Sequence, residues 1–210
     1  MKTDLRKIVL IGAGGHGRVV ADIAAQNGYG KIVFLDSAFP AIRKNLMWDV
    51  VGKSLEDVDG SWLAFVAVGN CTIRLGILEG LRAAEREVPS LIHPSAAISS
   101  YSNIGFGSAV MPQTVINAGA VVGFGAIVNS GATIDHDCQI GNGVHISPGV
   151  HLAGGVKIGD GSWIGIGSVI RENIEVGKGV TVGAGSVVVK DIGDGQTVVG
   201  VPAQQRLREI

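Results

Sequence analysis

Residues 122–152 read VGFGAIVNSGATIDHDCQIGNGVHISPGVHL. An aliphatic residue stands at every sixth position of this stretch, and the same spacing holds for sixteen hexapeptides without an insertion, from Ile98 to Val188. Glycine often follows the aliphatic residue directly, and a small residue recurs four places after it. A period of six with one inward aliphatic side chain per repeat is typical of a parallel β-helix. Because three hexapeptides close one triangular coil, the sequence predicts a prism of a little over five coils.

The composition supports a thin, repetitive core and limits the classes of function. The chain has 210 residues, 33 glycines, 5% aromatic residues and a formal net charge of −1, so general nucleic-acid binding is not expected. Mean hydropathy is +0.38, yet no apolar run approaches the ~20 residues of a membrane span. Cys71 and Cys138 are predicted to be free thiols, Cys138 inside the prism. The charged N-terminus shows no signal peptide, which favours the cytoplasm.

The first ninety residues follow a different pattern, in which apolar strands alternate with helices. The predicted strands are residues 7–11, 31–35, 62–68 and 88–92, and the predicted helices are residues 19–27 and 72–87. Alternation of this kind predicts a small parallel α/β unit. We therefore expect an α/β domain over residues 1–92, followed by an all-β domain over residues 93–210 that ends in a short polar tail.

A glycine-rich turn follows the first predicted strand. Gly12, Gly14 and Gly17 match the G-x-G-x-x-G spacing, and Asp36 lies 19 residues beyond Gly17. Such a turn lets phosphate oxygens approach backbone N–H groups at a helix N-terminus, while the carboxylate accepts from a sugar hydroxyl. NAD, a nucleotide-sugar diphosphate and a purely structural turn are all compatible, but ninety residues is about half of a full dinucleotide fold, which favours the nucleotide sugar. The candidate substrate-binding residues are Gly12, Gly14, Gly15, His16, Gly17, Asp36 and Asn70.

The candidate catalytic segment is Asp135-His136-Asp137-Cys138. With Ile134 inward, His136 is the third residue of its hexapeptide and is predicted to project from a face of the prism. Ala118 lies eighteen residues before it and Gly154 eighteen after it, so the imidazole should stack between small residues and leave a notch near the N–H groups of Gly154 and Gly155. A general base beside an oxyanion donor is what acyl transfer requires. The alternative is an exposed histidine without function.

Two more histidines, His145 and His151, follow in the repeat. His145 lies nine residues after His136, which is half a coil, so the two should lie on opposite sides of one prism. They can serve one site only if a second copy packs alongside, as in a closed three-fold assembly. No two of the three histidines share a column at the spacing of a ligand pair, so we predict no metal site.

Taken together, these segments resemble a known family. The hexapeptide array is similar to the left-handed β-helix acyltransferases, and the joined motifs resemble the nucleotide-sugar N-acetyltransferases of the bacillosamine type, grouped with sialic-acid O-acetyltransferase-like proteins. The motifs that carry this likeness are residues 12–17, 134–138, 153–159 and 200–203, and the likeness covers nearly the whole chain. It implies a Rossmann-like domain that holds the sugar nucleotide, a left-handed parallel β-helix, and acetyl-CoA bound along the prism between the subunits of a homotrimer.

The resemblance also implies roles for individual residues. His136 corresponds to the general base and Asp137 to its acidic neighbour, where glutamate is expected. His145 corresponds to a second histidine at the acetyl-CoA site, with Gly154, whose amide holds the thioester carbonyl, and Gly155. The implied reaction is transfer of acetyl from acetyl-CoA to the 4-amino group of a nucleotide-linked 4-amino-4,6-dideoxy sugar, with UDP favoured and no metal. The alternatives are O-acetylation of a sugar such as sialic acid, a metal-dependent β-helix hydratase and a non-catalytic nucleotide sensor.

Overall fold

A computed structural model describes residues 6–206, so the first five residues, which carry the predicted charged N-terminus, and the last four residues of the polar tail lie outside the described part. The N-terminal domain consists of β1 Lys7–Ile11, α1 Gly15–Gln26, β2 Lys31–Leu35, β3 Lys44–Asn45, β4 Trp48–Gly52, a short 3-10 helix Leu55–Asp57, β5 Leu63–Val66 and α2 Cys71–Ala83. The sheet order is β3-β4-β2-β1-β5, and all neighbours are parallel except β3 and β4.

A helix covers each face of the sheet at its central strands, which is why β1, β2 and β5 are nearly continuous apolar runs. On one face Ile8, Leu10 and Phe34 pack with buried residues of α1. On the other face Val9 and Leu35 pack with Leu78 and Leu81 of α2. The predicted α/β unit is therefore confirmed, with one helix on each side of the sheet.

The element bounds differ from the expectation at several points, and helix α2 ends at Ala83, four residues earlier than predicted. Helix α1 begins at Gly15, four residues earlier than predicted, because the glycine-rich turn itself forms the first helical turn. The hairpin β3–β4 was not predicted, since the two-residue strand Lys44–Asn45 has no apolar alternation. The assignment of residues 88–92 to the α/β sheet is wrong. Only Leu91–Ile92 forms a strand there, and it pairs with Ala109–Val110 of the prism.

The second domain is a parallel β-helix of three sheets. Its two-residue strands are β6 Leu91–Ile92, β7 Ala97–Ile98, β8 Asn103–Ile104, β9 Ala109–Val110, β10 Val115–Ile116, β11 Val121–Val122, β12 Ile127–Val128, β13 Thr133–Ile134, β14 Gln139–Ile140, β15 His145–Ile146, β16 His151–Leu152, β17 Lys157–Ile158, β18 Trp163–Ile164, β19 Val169–Ile170, β20 Glu175–Val176, β21 Thr181–Val182 and β22 Val187–Val188. Strand β23 Thr197–Val199 pairs with β21, and β24 Gln204–Gln205 runs antiparallel to β23.

Each sheet takes every third strand and forms one face of the prism. Face 1 runs from β7 through β13 to β22, face 2 from β8 through β14 to β20, and face 3 from β6 through β15 to β24. The histidine corner, which contains residues 135–138, joins face 1 to face 2. The glycine corner joins face 2 to face 3 and contains Gly107, Gly125, Gly143, Gly161 and Gly179, all with φ between +62° and +68°. Glycine adopts this left-handed conformation without the steric penalty of a Cβ.

The prism interior has the predicted register. Ile134, Ile146 and Ile164, which belong to the every-sixth series, are completely buried. Cys138 is also buried, in the row of small residues that includes Ala120 and Ala126, so its prediction as an inward free thiol is confirmed. The aliphatic period of six therefore determines which side chains form the axial core.

Candidate functional site

His136 lies at the histidine corner and not on a face of the prism. The strand before it, Thr133–Ile134, has only two residues, so the third position of the hexapeptide falls in the turn. The prediction that His136 projects from a face is therefore wrong in this respect. Its side chain is 64% exposed, which leaves the imidazole accessible to a ligand that approaches the corner.

The imidazole lies directly against Gly154 of the next coil. A Cβ added to Gly154 would lie 2.5 Å from His136 Nε2, so only glycine leaves room for this ring position. The backbone N–H of Gly155 is already used, because it donates to the carbonyl of His136 at 2.9 Å. Within residues 6–206, no protein acceptor takes the N–H of Gly154. Of the two predicted amides, Gly154 is therefore the one that remains available to a ligand.

Asp137 orients the imidazole from the adjoining position. Its backbone has φ +60°, and this turn brings Oδ2 to 2.8 Å from His136 Nδ1. Asp135 Oδ1 accepts the backbone N–H of His136 at 2.8 Å. The hydrogen bond to Asp137, followed by the charge of Asp135, raises the pKa of His136. Since Nδ1 faces a carboxylate, the lone pair of the neutral ring is on Nε2, the atom beside Gly154.

Replacing Asp137 with asparagine is expected to move the acid limb of the kcat/KM profile to lower pH. The carboxylate stabilises the imidazolium, so its removal lowers the pKa of His136 and leaves the ring neutral in more acidic solution. We also expect kcat to fall roughly 10- to 100-fold, as for a lost hydrogen bond to a charged group. Asparagine tolerates positive φ, so the turn should persist.

The pH dependence of kcat/KM and kcat at saturating substrate measures both effects. Asp49→Asn, on strand β4 of the other domain, is the matched control and should leave the profile unchanged. An acid limb that stays in place in Asp137→Asn, or that moves to higher pH, contradicts the role of Asp137.

His145 lies on face 3, opposite the histidine corner, as half a coil of separation predicts. It is only 8% exposed and its ring stacks on Trp163, with centroids 5.1 Å apart. The ring of His16, from the N-terminal domain, lies 6.5 Å from that of His145. His145 Nδ1 and His16 Nε2 are buried and have no hydrogen-bond partner among the described residues. Buried polar atoms normally have a partner, so this pair is a candidate ligand contact.

Both imidazoles of this pair are held in the neutral form. Burial, followed by the charges of His145 and Arg74, lowers the pKa of His16 to about 4. Burial, followed by the charge of Arg74, lowers the pKa of His145 to about 4. A neutral imidazole offers one donor and one acceptor, so the pair suits a neutral polar group such as a sugar hydroxyl or an amine.

The four glycines of the nucleotide turn divide into two kinds. A Cβ on Gly17 would collide with the carbonyl of Gly12, and one on Gly12 would lie 2.9 Å from the carbonyl of Ala67, so these two allow close packing. Gly14 and Gly15 face open space. Helix α1 begins here without a side-chain cap, which leaves N–H groups of its first turn available to an anion.

Asp36 and Asn70 bond to the backbone in this structure. Asp36 accepts from the N–H groups of Ala13 at 2.8 Å and Ala38 at 2.9 Å, so it holds the glycine-rich turn. Asn70 caps α2 by accepting from the N–H of Ile73 at 3.0 Å. Both lie at the carboxyl ends of strands next to β1, where parallel α/β sheets bind ligands. Their contact with a sugar nucleotide stays a prediction.

Three residues at these sites were not predicted from the sequence. Asn45 is buried and donates to the carbonyls of Ala13 at 3.0 Å and Gly14 at 3.1 Å, and it accepts from Arg18 Nε at 2.7 Å. Trp163 lies eighteen residues after His145, so the period of the prism could have identified it. Arg74 of α2 had no signal, because its position resembles that of any polar residue on an amphipathic helix.

The predicted site residues therefore form two groups. His136, Asp137, Gly154 and Gly155 lie at the histidine corner, while His145 joins the glycine-rich turn of the N-terminal domain on the opposite side. Within residues 6–206, no three His, Cys, Asp or Glu side chains are arranged to hold a metal ion. No helix in the same part of the chain is long and apolar enough to span a membrane.

Comparison with known families and structures gives the same two-domain arrangement. Residues 7–81 match the PglD N-terminal domain, and residues 137–162 and 155–190 match the bacterial transferase hexapeptide repeat. The acetyltransferase domain of PglB from Neisseria gonorrhoeae is 47% identical over 96% of this chain and all of that chain, with a TM-score of 0.92. That domain has also been solved in complex with acetyl coenzyme A.

Two further relatives are enzymes that act on nucleotide sugars. PerB from Caulobacter crescentus, solved with CoA and GDP-perosamine, is 34% identical over 95% of this chain and 97% of that chain, with a TM-score of 0.88. UDP-N-acetylbacillosamine N-acetyltransferase of Bacillus subtilis is 33% identical over 116 residues, and the matched segment is 52% of its length. The chain therefore belongs to the bacillosamine-type nucleotide-sugar N-acetyltransferases, in which a PglD-like N-terminal domain is joined to a left-handed β-helix of hexapeptide repeats.

Proposed function

We propose that the protein transfers an acetyl group from acetyl-CoA to the 4-amino group of a nucleotide-linked 4-amino-4,6-dideoxy sugar, with UDP favoured as the nucleotide. The observation that carries this proposal is the His136–Asp137 pair at the histidine corner, with Nε2 beside Gly154. Relatives that resemble the chain over nearly its whole length support it, because one binds acetyl coenzyme A and another CoA with GDP-perosamine. Both substrates are cytoplasmic metabolites, so we place the reaction in the cytoplasm.

The geometry of the histidine corner suits a direct transfer. The sugar amine attacks the thioester carbonyl while Nε2 of neutral His136 takes a proton from the nitrogen, and Asp137 stabilises the imidazolium that forms. The N–H of Gly154 stabilises the oxyanion of the tetrahedral intermediate. As the intermediate collapses, the carbon–sulfur bond breaks and the imidazolium returns the proton to the CoA thiolate. The products are the N-acetyl sugar and CoA.

The N-terminal domain would hold the sugar nucleotide. The diphosphate of the sugar nucleotide fits the open N-terminus of α1 beside Gly14 and Gly15, where N–H groups and the helix dipole favour an anion. His16 extends from the same turn toward His145, so its buried Nε2 is suited to a hydroxyl or amine of the sugar. Asp36 keeps the turn in the required shape through Ala13 and retains lone pairs for a ribose hydroxyl.

We further propose that the active protein is a homotrimer with sites between subunits. His136 and His145 lie on opposite sides of one prism, so a single chain cannot bring both to one substrate. Large apolar side chains are exposed on and beside face 3, namely Trp163 at 44% and Ile166 at 56%. Large apolar side chains that lie close together in the sequence and are exposed to solvent favour a contact between proteins. In a closed ring, the histidine corner of one chain would face His145 of its neighbour.

Mixing His136→Ala protomers with His145→Ala protomers is expected to restore activity. In an equal mixture, a cleft has both histidines only if each neighbour supplies the intact one, which occurs in about one quarter of the clefts. Activity should therefore reach about a quarter of wild type after subunit exchange, although each variant alone is inactive. The control is subunit exchange between two preparations of the same variant, which should stay inactive. Absence of restoration after verified exchange, or full activity of a monomer in sedimentation, contradicts the shared site.

Release of CoA thiol across a substrate panel tests the reaction itself. The panel contains UDP- and GDP-linked 4-amino-4,6-dideoxy sugars, the corresponding 4-hydroxy sugars, and sialic acid. We expect thiol release with an amino sugar and none above background with its hydroxy counterpart, because a neutral amine attacks the thioester before it loses a proton, whereas a hydroxyl must lose its proton during the attack. Equal or faster release with the hydroxy sugars or sialic acid would favour the alternative, O-acetylation.

A further inference from the structure

Arg74 of α2 is a buried cation, only 1% exposed, that bonds to backbone carbonyls. Its Nη1 donates to the carbonyls of Val68 and Gly69, both at 2.8 Å. Its Nε donates to the carbonyl of Gly125 and its Nη2 to that of Gly143, both at 2.7 Å. One guanidinium therefore joins the loop after β5 to two successive coils of the prism.

The glycine corner is shaped to receive this helix. A Cβ on Gly107 or Gly125 would collide with Leu78, and one on Gly143 would collide with Leu75. Gly161 and Gly179, at the same corner in the next two coils, have open space at the same position. Helix α2 therefore docks on the first three glycines of the column, where the absence of Cβ atoms admits its two leucines.

Arg74 connects the backbone beside the nucleotide turn of the N-terminal domain with the backbone beside His145 on face 3. Val68 and Gly69 adjoin the nucleotide turn, because a Cβ on Gly12 would lie 3.1 Å from Val68 Cγ2. Gly143 lies two residues before His145. We propose that Arg74 is a positioning residue for the acetyl transfer, which fixes the nucleotide loop against the prism and thereby sets the distance between His16 and His145. This inference rests on the proposed function.

The chemistry of arginine suits this role. Its planar guanidinium donates in several fixed directions at once, which the single ammonium of lysine cannot do. Burying a charge is costly unless it is fully hydrogen-bonded, so the four carbonyl contacts are required together. The ionisable groups around Arg74 are His16 of α1, His145 of the prism and Cys71 of its own helix. The positive charge therefore also disfavours protonation of both histidines.

Two substitutions separate the geometry of Arg74 from its charge. Arg74→Lys keeps the positive charge but loses the planar guanidinium that donates in several directions. Arg74→Met loses both the charge and the guanidinium. We expect each variant to have a KM for the sugar nucleotide and a Kd for UDP that are roughly ten-fold higher than those of the wild type, because the displaced element is the nucleotide loop. KM for acetyl-CoA should be nearly unchanged. In Arg74→Met alone, the NMR titration of His145 should move to higher pH. Arg82→Met, exposed on the same helix, is the control.

A second pair of variants leaves Arg74 intact. Gly143→Ala should displace Leu75, and with it α2, and should reproduce the higher KM for the sugar nucleotide. Gly161→Ala carries the same backbone strain at the same corner, with φ of +68° against +62°, but contacts no helix, so it should not change KM. Equal effects of the two alanines, or folded Arg74 variants with unchanged KM and Kd, would overturn the positioning role.

Calorimetric titration with UDP and GDP keeps this test independent of the proposed reaction. If wild-type protein binds one of these nucleotides but acetylates no amino sugar, the proposed function fails while the Arg74 variants still report on the nucleotide loop. If acetylation occurs and the Arg74 and Gly143 variants bind the nucleotide as wild type does, only the role of Arg74 is lost.

Discussion

Replacing His136 with alanine is expected to lower kcat roughly 10²- to 10⁴-fold, the usual contribution of a general base. The imidazole carries a lone pair on Nε2, and an adjacent carboxylate orients the ring through the 2.8 Å contact between Nδ1 and Asp137. Since the side chain is largely exposed at a corner, its removal creates no cavity and should leave the prism folded.

His151→Ala provides the matched control for this prediction. His151 is also exposed on the prism, one strand of face 1 beyond the His136 turn, and bonds to Thr133 Oγ1 at 2.9 Å. The His151→Ala substitution should reduce kcat little, and both His151→Ala and His136→Ala should unfold at the wild-type temperature. Steady-state rates at neutral pH decide the matter. If His136→Ala loses less than a few-fold in kcat, His136 is not the base.

Replacing Gly154 with alanine is expected to lower kcat on the order of 10²-fold, because a small displacement of a catalytic group has an effect of this size. The added Cβ would lie 2.5 Å from His136 Nε2, so the imidazole must move away from the position where it faces the substrate. The φ of Gly154 is not positive, so alanine adds no backbone strain and the effect is purely steric.

Gly193→Ala is the control for this substitution. Gly193 also has a φ compatible with alanine, and its nearest neighbour is the flexible end of Gln196 at 3.3 Å. It should keep nearly full activity. A Gly154→Ala variant with wild-type kcat and an unchanged His136 chemical shift would show that the imidazole does not act from the position described here.

The prism could be predicted in detail because its rule is local and repeats. Each inward aliphatic lies six residues from the next, so the register of one coil determines that of all the others. The same rule also predicts that the strand at Ile92 belongs to the prism, although it was assigned to the α/β sheet. Ile92 lies six residues before Ile98 and extends the series by one repeat. The opposite positions of His136 and His145 followed from the same counting.

The docking of the two domains could not be predicted, because no period relates α2 to the prism. In the sequence Arg74 is a polar residue of an amphipathic helix, and only the fold shows that four carbonyls surround it. The contact between His16 and His145 depends on the same docking. The polar residues of the nucleotide turn present a related difficulty, since Asp36 was predicted as a ligand contact and its bonds to Ala13 and Ala38 are also structural.

Identification of the acetylated atom in the product tests the proposed reaction most directly. The protein is incubated with acetyl-CoA labelled with ¹³C at the carbonyl and with the 4-amino nucleotide sugar that gives the fastest thiol release, and the product is examined by NMR. We expect an amide, in which the labelled carbonyl correlates with an N–H proton that is coupled to the proton on C4. A labelled ester on a sugar hydroxyl, or no label in the sugar, would contradict it.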